Sequence, residues 1–378
     1  MIPAGVFYFP PLPCPFLLLL RKKENRLEVQ LVNHHTSAIQ KGDFTMSILE
    51  EKLPVLIRET LQDHGTESCQ NISPDIIVRK TRFRKDELTN IFAATYDKDI
   101  SVESDNSGKM YLYVRFKNIS GEPLTDFYIH LYRNHLGLSN RPGDWAASEM
   151  HTEDGKPVYI GRLEAGEIGA TPAFVYDKKT EGFHPNCFVA VATREEKPDY
   201  SSINCHDKYI RWVNKINVAA RNVCVISGQS PISTNTVVVD NPDRQWERRM
   251  WLIVEIEGES PSGVSYGVRQ PEFGIDETRT YLKGDSRTDV IACRFFMPPN
   301  AQRRFEIWFE ASRTDRAHIV CRCTYLMENG SGFDAALAPY LVDMRTGSAA
   351  PGGTENLSLP LTRGYMLGCC YFKGNEVV

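Results

Sequence analysis

One feature constrains this chain more than any other: apolar residues recur at every second position over many short stretches. In Met110–Asn118, Met110, Leu112, Val114 and Phe116 share one face, and Tyr111, Tyr113, Arg115 and Lys117 share the other. Phe127, Ile129 and Leu131 repeat the pattern, as do Val189 with Val191 and Val223 with Val225. Farther on, Leu252, Val254 and Ile256 alternate with Trp251, Ile253 and Glu255, and Phe305, Ile307 and Phe309 with Glu306, Trp308 and Glu310. Ile319, Cys321, Cys323 and Tyr325 form a last stripe. A period of two is the period of a strand with one buried face. Short strands separated by Gly/Pro/Asn-rich turns, without helices between them, predict antiparallel sheets packed face to face.

The expected fold class is therefore all-β: two tandem immunoglobulin-like antiparallel sandwiches preceded by a short N-terminal amphipathic helix. The helix is expected over Ser47–Gly65, where Ile48, Leu49, Leu53, Leu56, Ile57 and Leu61 recur at three- and four-residue intervals. Pro54 is a place where it would kink. The first sandwich is expected over 71–228, a polar linker over 229–236, and a divergent second sandwich over 237–328. Residues 46–70 carry the helix and its linker, and 329–378 read as a surface tail. Residues 1–45 read as a disordered extension. Their apolar run is broken by Pro10, Pro11, Pro13 and Pro15, and its basic residues follow it, the reverse of a secretion signal.

Composition excludes some partners. With 44 basic and 48 acidic residues the net charge is −4, so nothing builds the basic field that nucleic-acid binding requires. The apolar N-terminal run is too short and proline-rich to span a bilayer. The chain is expected to be cytoplasmic, or exported without a standard signal peptide. The ten cysteines leave two readings open: reduced core thiols, or an inter-sheet bridge such as Cys187 with Cys224 if the chain is exported.

Three stretches carry a family likeness. Ser73–Val78 (SPDIIV), the pair Tyr111–Asn118 with Phe127–Tyr132, and Gly137–Trp145 (GLSNRPGDW) resemble the opening strand, strand pair and loop of a bacterial immunoglobulin-like family. That family is grouped with cell-adhesion-related, CARDB-like domains. His184–Phe188 and Asn214–Val225 are similar to its closing strands. The resemblance covers roughly Ser73–Ile226 and implies a sandwich used for binding or assembly, with no catalytic residue to carry over.

Chemistry is sparse. There is no H-E-x-x-H or phosphate loop, and no cofactor is expected. The G-x-S-x-G spacing occurs once, at Gly263–Gly267 (GVSYG), and is by itself not a nucleophile elbow, which also needs a helix directly after the serine. Cys321 and Cys323 are expected to face the core together rather than bind metal, because a spacing of two keeps them on one strand face. Asp97, Asp99, Glu103 and Asp105 read as a solvated loop. The favoured function is a non-enzymatic protein-interaction or assembly module, in a setting such as a bacterial secreted or toxin-associated complex. The alternative is a hydrolytic enzyme or effector with a loop-built site around His151, Glu149 and Asp154.

Five residues are candidates for binding another protein. Tyr111, Tyr113, Tyr128 and Tyr132 lie on the outer faces of their strands and form either a contact patch or a surface covered by the 47–65 helix or the 134–155 loop. Trp145 is expected to fold back and anchor its loop; the competing reading makes it an exposed hot spot.

Overall fold

The computed structural model describes residues 16–23, 26–33, 52–65, 71–101, 109–134, 141–146, 148–155, 157–177, 186–226, 232–258, 263–281, 289–310, 312, 319–329, 335–345 and 361–374. The chain falls into two units, Met1–Met46 and Ser47–Val378. In the first, β1 (Phe16–Lys23) and β2 (Arg26–Asn33) pair antiparallel, Phe16 opposite Asn33 and Lys23 opposite Arg26. The disorder expected over 1–45 thus gives way to a hairpin at 16–33; Leu27, Val29 and Leu31 supply the period-two signal.

The larger unit is all-β, with several antiparallel sheets and a few short helices. Its first half runs through β3 (Val55–Leu56), β4 (Ile76–Arg79), α1 (Leu88–Ala94), β5 (Lys109–Asn118), β6 (Leu124–Asn134), α2 (Pro142–Ala146) and β7 (Val158–Leu163). It continues through β8 (Ile168–Ala170), β9 (Phe174–Asp177), β10 (Asn186–Thr193), α3 (His206–Val213) and β11 (Val218–Ile226). The second half comprises β12 (Ile232–Asp240), β13 (Arg248–Gly258), β14 (Val264–Gln270), β15 (Ile275–Tyr281), β16 (Asp289–Met297), β17 (Gln302–Glu310), β18 (Ile319–Glu328), β19 (Leu341–Arg345) and β20 (Leu361–Gly374).

No helix forms over the described part of 47–65. Pro54 has no backbone N–H, and Val55–Leu56 instead pairs with Asn118 and Lys117 of β5. Leu53, Val55 and Ile57 are buried together in the first core, an alternation of two that overrides the helical spacing.

In each half, apolar side chains of different sheets meet. In the first, β5 carries β3, β4, β8 and β9 along its edges and packs on the β7–β6–β10–β11 layer. The contact crosses the layers at Phe116 and Phe127, ring centroids 6.0 Å apart, and at Tyr176 and Phe188, 5.8 Å apart. In the second, β12–β17–β14–β15 faces β16–β13–β18–β20, with Phe295 against Phe305 at 4.9 Å and Phe309 against Phe372 at 5.9 Å.

The halves are joined by more than chain. The layer order β16–β13–β18–β20–β11–β10–β6–β7 is one continuous sheet, closed at its middle by the parallel pairing of Cys224, Val225 and Ile226 with Phe372, Lys373 and Gly374. Asn71 Nδ2 adds a bond to the Cys369 carbonyl at 2.9 Å. The segment expected as a surface tail therefore contains a buried central strand, and the segment expected as a linker contains the start of β12. Residues 227–231 lie outside the described ones.

The two covering sheets lie on opposite faces of this shared sheet. Ile129, Leu131, Phe188, Ala190 and Ala219 face β5, whereas Tyr132, Val189, Val191, Val218 and Ala220 face α3 and join the second core. The run FVAVA at 188–192 is apolar at every position because both of its faces are covered. Among the described residues, no helix is long and apolar enough to cross a membrane.

Candidate interaction surface

β5 and β6 belong to different sheets, so the tyrosines expected on adjacent strands do not share a face. The link between them passes from one sheet to the other, and Phe116 and Phe127 meet between the two. Tyr113 is fully buried: its ring lies 5.5 Å from those of Phe83 and Phe92, and its hydroxyl accepts from the Phe83 amide at 2.9 Å. Burial raises its phenol pKa. The cover is α1, a helix the sequence reading missed, and Tyr111 is half-buried against the same cluster. Tyr132 is also buried, stacked on His130 and bonded through its hydroxyl to that of Tyr200 at 3.1 Å. Tyr128 is half-buried beside the exposed Tyr159, rings 5.3 Å apart. The Trp145 backbone lies in α2; its side chain is outside the described residues.

The outer layer of the first half holds a buried charge cluster instead. Asp75 accepts from Arg58 Nη2 and Arg115 Nε, both at 2.7 Å, and from the Arg58 amide at 2.9 Å. Arg115 also donates to the Thr95 carbonyl at 2.7 Å, and the Arg58 guanidinium sits 3.5 Å above the Tyr96 ring. Asp75, Arg58 and Arg115 occupy one another and hold structure, while the buried Tyr96 hydroxyl beside them makes no hydrogen bond.

The residues of the hydrolytic alternative are not brought together. Glu149 lies 2.5 Å from His130 Nδ1, and His130 Nε2 is 3.1 Å from the Glu195 carbonyl, so both ring nitrogens are engaged. Glu153 pairs with Arg82 at 2.7 Å. A cleft of about 120 Å³ lies between Arg82, Lys85, Tyr113, Glu153 and Asp154, and neither His151 nor Glu149 lines it. Cys321 and Cys323 are fully buried on one face of β18, as their spacing predicts. Cys224, the second half of the considered bridge, has its side chain outside the described residues.

A different surface stands out at one end of β13. Trp246, in the turn before that strand, is 63% exposed, and Phe296, opposite Arg249 in the β13–β16 ladder, is 50% exposed. Glu328 organises the neighbouring groups. It accepts from Arg294 Nε and Nη2, both at 3.0 Å, from Trp251 Nε1 at 3.1 Å and from Arg249 Nη1 at 3.2 Å. The Arg249 guanidinium lies 5.3 Å from the Phe296 ring and that of Arg294 5.6 Å from the Trp251 ring. Burial alone would raise the Glu328 pKa, but the bonds from Arg294, Arg249 and Trp251 outweigh it and hold the carboxyl below its ordinary value. The sequence did carry a sign of this face: Arg249, Trp251, Arg294 and Phe296 fall on the positions of their strands opposite the core stripes.

No family model matches the chain, and no curated protein matches it. Among solved structures, the chain was compared with the collagen binding domain of Erysipelothrix rhusiopathiae surface protein RspB. The two are 10% identical, with 72% of this chain and 92% of that one covered and a TM-score of 0.15. A superposition that loose carries no argument about fold or partner.

Proposed function

We propose that this chain is a non-enzymatic protein-interaction module built from two immunoglobulin-like sandwiches, and that its partner docks on the surface around Trp246 and Phe296. The observation that carries the reading is the exposure of two large aromatic side chains beside two arginines held by one carboxylate. Tryptophan and arginine are the residues that dominate binding energy at interfaces. Side chains already fixed before binding lose less conformational freedom when a partner arrives. Two guanidiniums sharing one carboxylate leave a net positive charge, which suits a protein partner that offers an acidic side chain among apolar ones. The likeness of Ser73–Ile226 to cell-adhesion-related domains points the same way, and a role within a larger bacterial assembly fits it.

The test is affinity capture from the native host with the full chain and with a Trp246→Ala/Phe296→Ala variant. The expected result is at least a tenfold loss of a specific captured protein at an unchanged melting temperature. Equal capture by both chains would remove this surface from the proposal.

A further inference from the structure

The ladder between β18 and β20 places Cys323 directly opposite Cys370, Thr324 opposite Cys369 and Cys321 opposite Phe372. Side-chain contacts establish which face each sulfur takes. Thr324 Oγ1 lies 3.7 Å from Cys369 Sγ, and Arg322 Nε donates to the same sulfur at 3.4 Å. Cys369 therefore shares the outer face with Arg322 and Thr324. Cys370, one residue on, shares the inner face with Cys321 and Cys323, and all three are fully buried in the second core.

Directly opposed residues of an antiparallel ladder have Cα atoms about 4.5–5.5 Å apart, within the roughly 4.4–6.8 Å that a disulfide spans. The diagonal neighbour, Cys321 to Cys370, falls at about 7–8 Å and outside that range. We propose that Cys323 and Cys370 are a redox couple that forms a cross-strand disulfide. Each thiol gives up one proton, a bond forms between the two sulfurs, and the two electrons pass to a disulfide oxidant whose own S–S bond opens into two thiols. The reaction belongs to the moment before β20 seats, because both sulfurs are then accessible and afterwards neither is. Once made, the bond ties β20 to the second sandwich and is shielded from reductant.

The test is refolding of the full chain from urea in oxidised and reduced glutathione, and separately in dithiothreitol, followed by alkylation and peptide mapping. The expected result is a Cys323–Cys370 linked peptide in glutathione but not in dithiothreitol. It should come with a melting temperature higher by about 5 °C or more, as expected when a long loop is closed. Cys321→Ala should keep the link, and Cys370→Ala should abolish both it and the redox-dependent shift. Alkylation of both Cys323 and Cys370 in wild-type chain refolded in glutathione would overturn the proposal, as would a link from Cys370 to Cys321. Neither reading depends on a variant folding.

Discussion

The two halves of the larger unit are both built mainly of antiparallel strands and differ in what they bury. The first half buries Asp75 between two arginines that are themselves buried. In the second, Phe295, Phe305 and Phe309 pack with cysteines, the buried Asp240 and Asp243 each pair with a partly exposed arginine, and the Glu328 cluster lies near the surface. A buried carboxylate between two guanidiniums holds one geometry, because any shift strands a charge. An apolar core tolerates adjustment provided its volume is kept. The difference predicts that the halves fail in different ways.

The largest effect should come from breaking the buried cluster. Asp75→Ala leaves two guanidiniums buried without their carboxylate and should destabilise the protein by about 3–5 kcal/mol in denaturant titration. A loss below about 1 kcal/mol would show that water reaches the site and that the halves do not differ as described. The next effect is set by pH. His206, at the start of α3, is fully buried, and burial chiefly lowers its pKa from 6.5 to about 4. A depressed histidine pKa means that the unfolded chain binds the extra proton between those values. Stability is therefore complete above pH 6.5 and falls as pH drops toward 4, by up to about 3 kcal/mol. His206→Gln should flatten that slope in melting curves taken across the window; an unchanged slope would assign it to other groups. The smallest effect belongs to the second half's surface cluster. Glu328→Gln should cost about 0.5–1 kcal/mol, because its arginines remain hydrated. A loss as large as that at Asp75 would remove the contrast between the halves.

Much of this architecture was legible where one sheet face meets the core. The stripes at Met110–Phe116, Leu252–Ile256 and Phe305–Phe309 point inward as their period requires. Legibility failed where both faces are covered or where a partner strand competes with local preference. β20 contains Gly364, Gly368, Cys369 and Cys370 and is buried on both sides, so no alternation marks it as a central strand. The 47–65 segment has helical spacing, but β5 offers it a ladder. α3 was overlooked although Tyr209, Ile210, Trp212 and Val213 have a helix's spacing and Asp207 lies in its first turn. The tyrosines lie opposite the apolar stripes of their strands, but nothing local shows that α1 packs on Tyr113 or that Tyr200 packs on Tyr132. The aromatic and arginine surface at β13 was missed because each of its residues looks ordinary alone.

The position of β20 also governs the order in which the molecule can be completed. During synthesis β11 is made long before β20, and until then its free edge presents unpaired backbone groups to solvent and to other chains. The middle of the longest sheet is thus the last part to close, through a contact between strands far apart in sequence. Such contacts are slow to form, and an open edge held for that time invites pairing with the wrong strand. Nascent chains of this protein should therefore be most prone to aggregate, and most dependent on chaperones, in the interval between the emergence of β11 and that of β20.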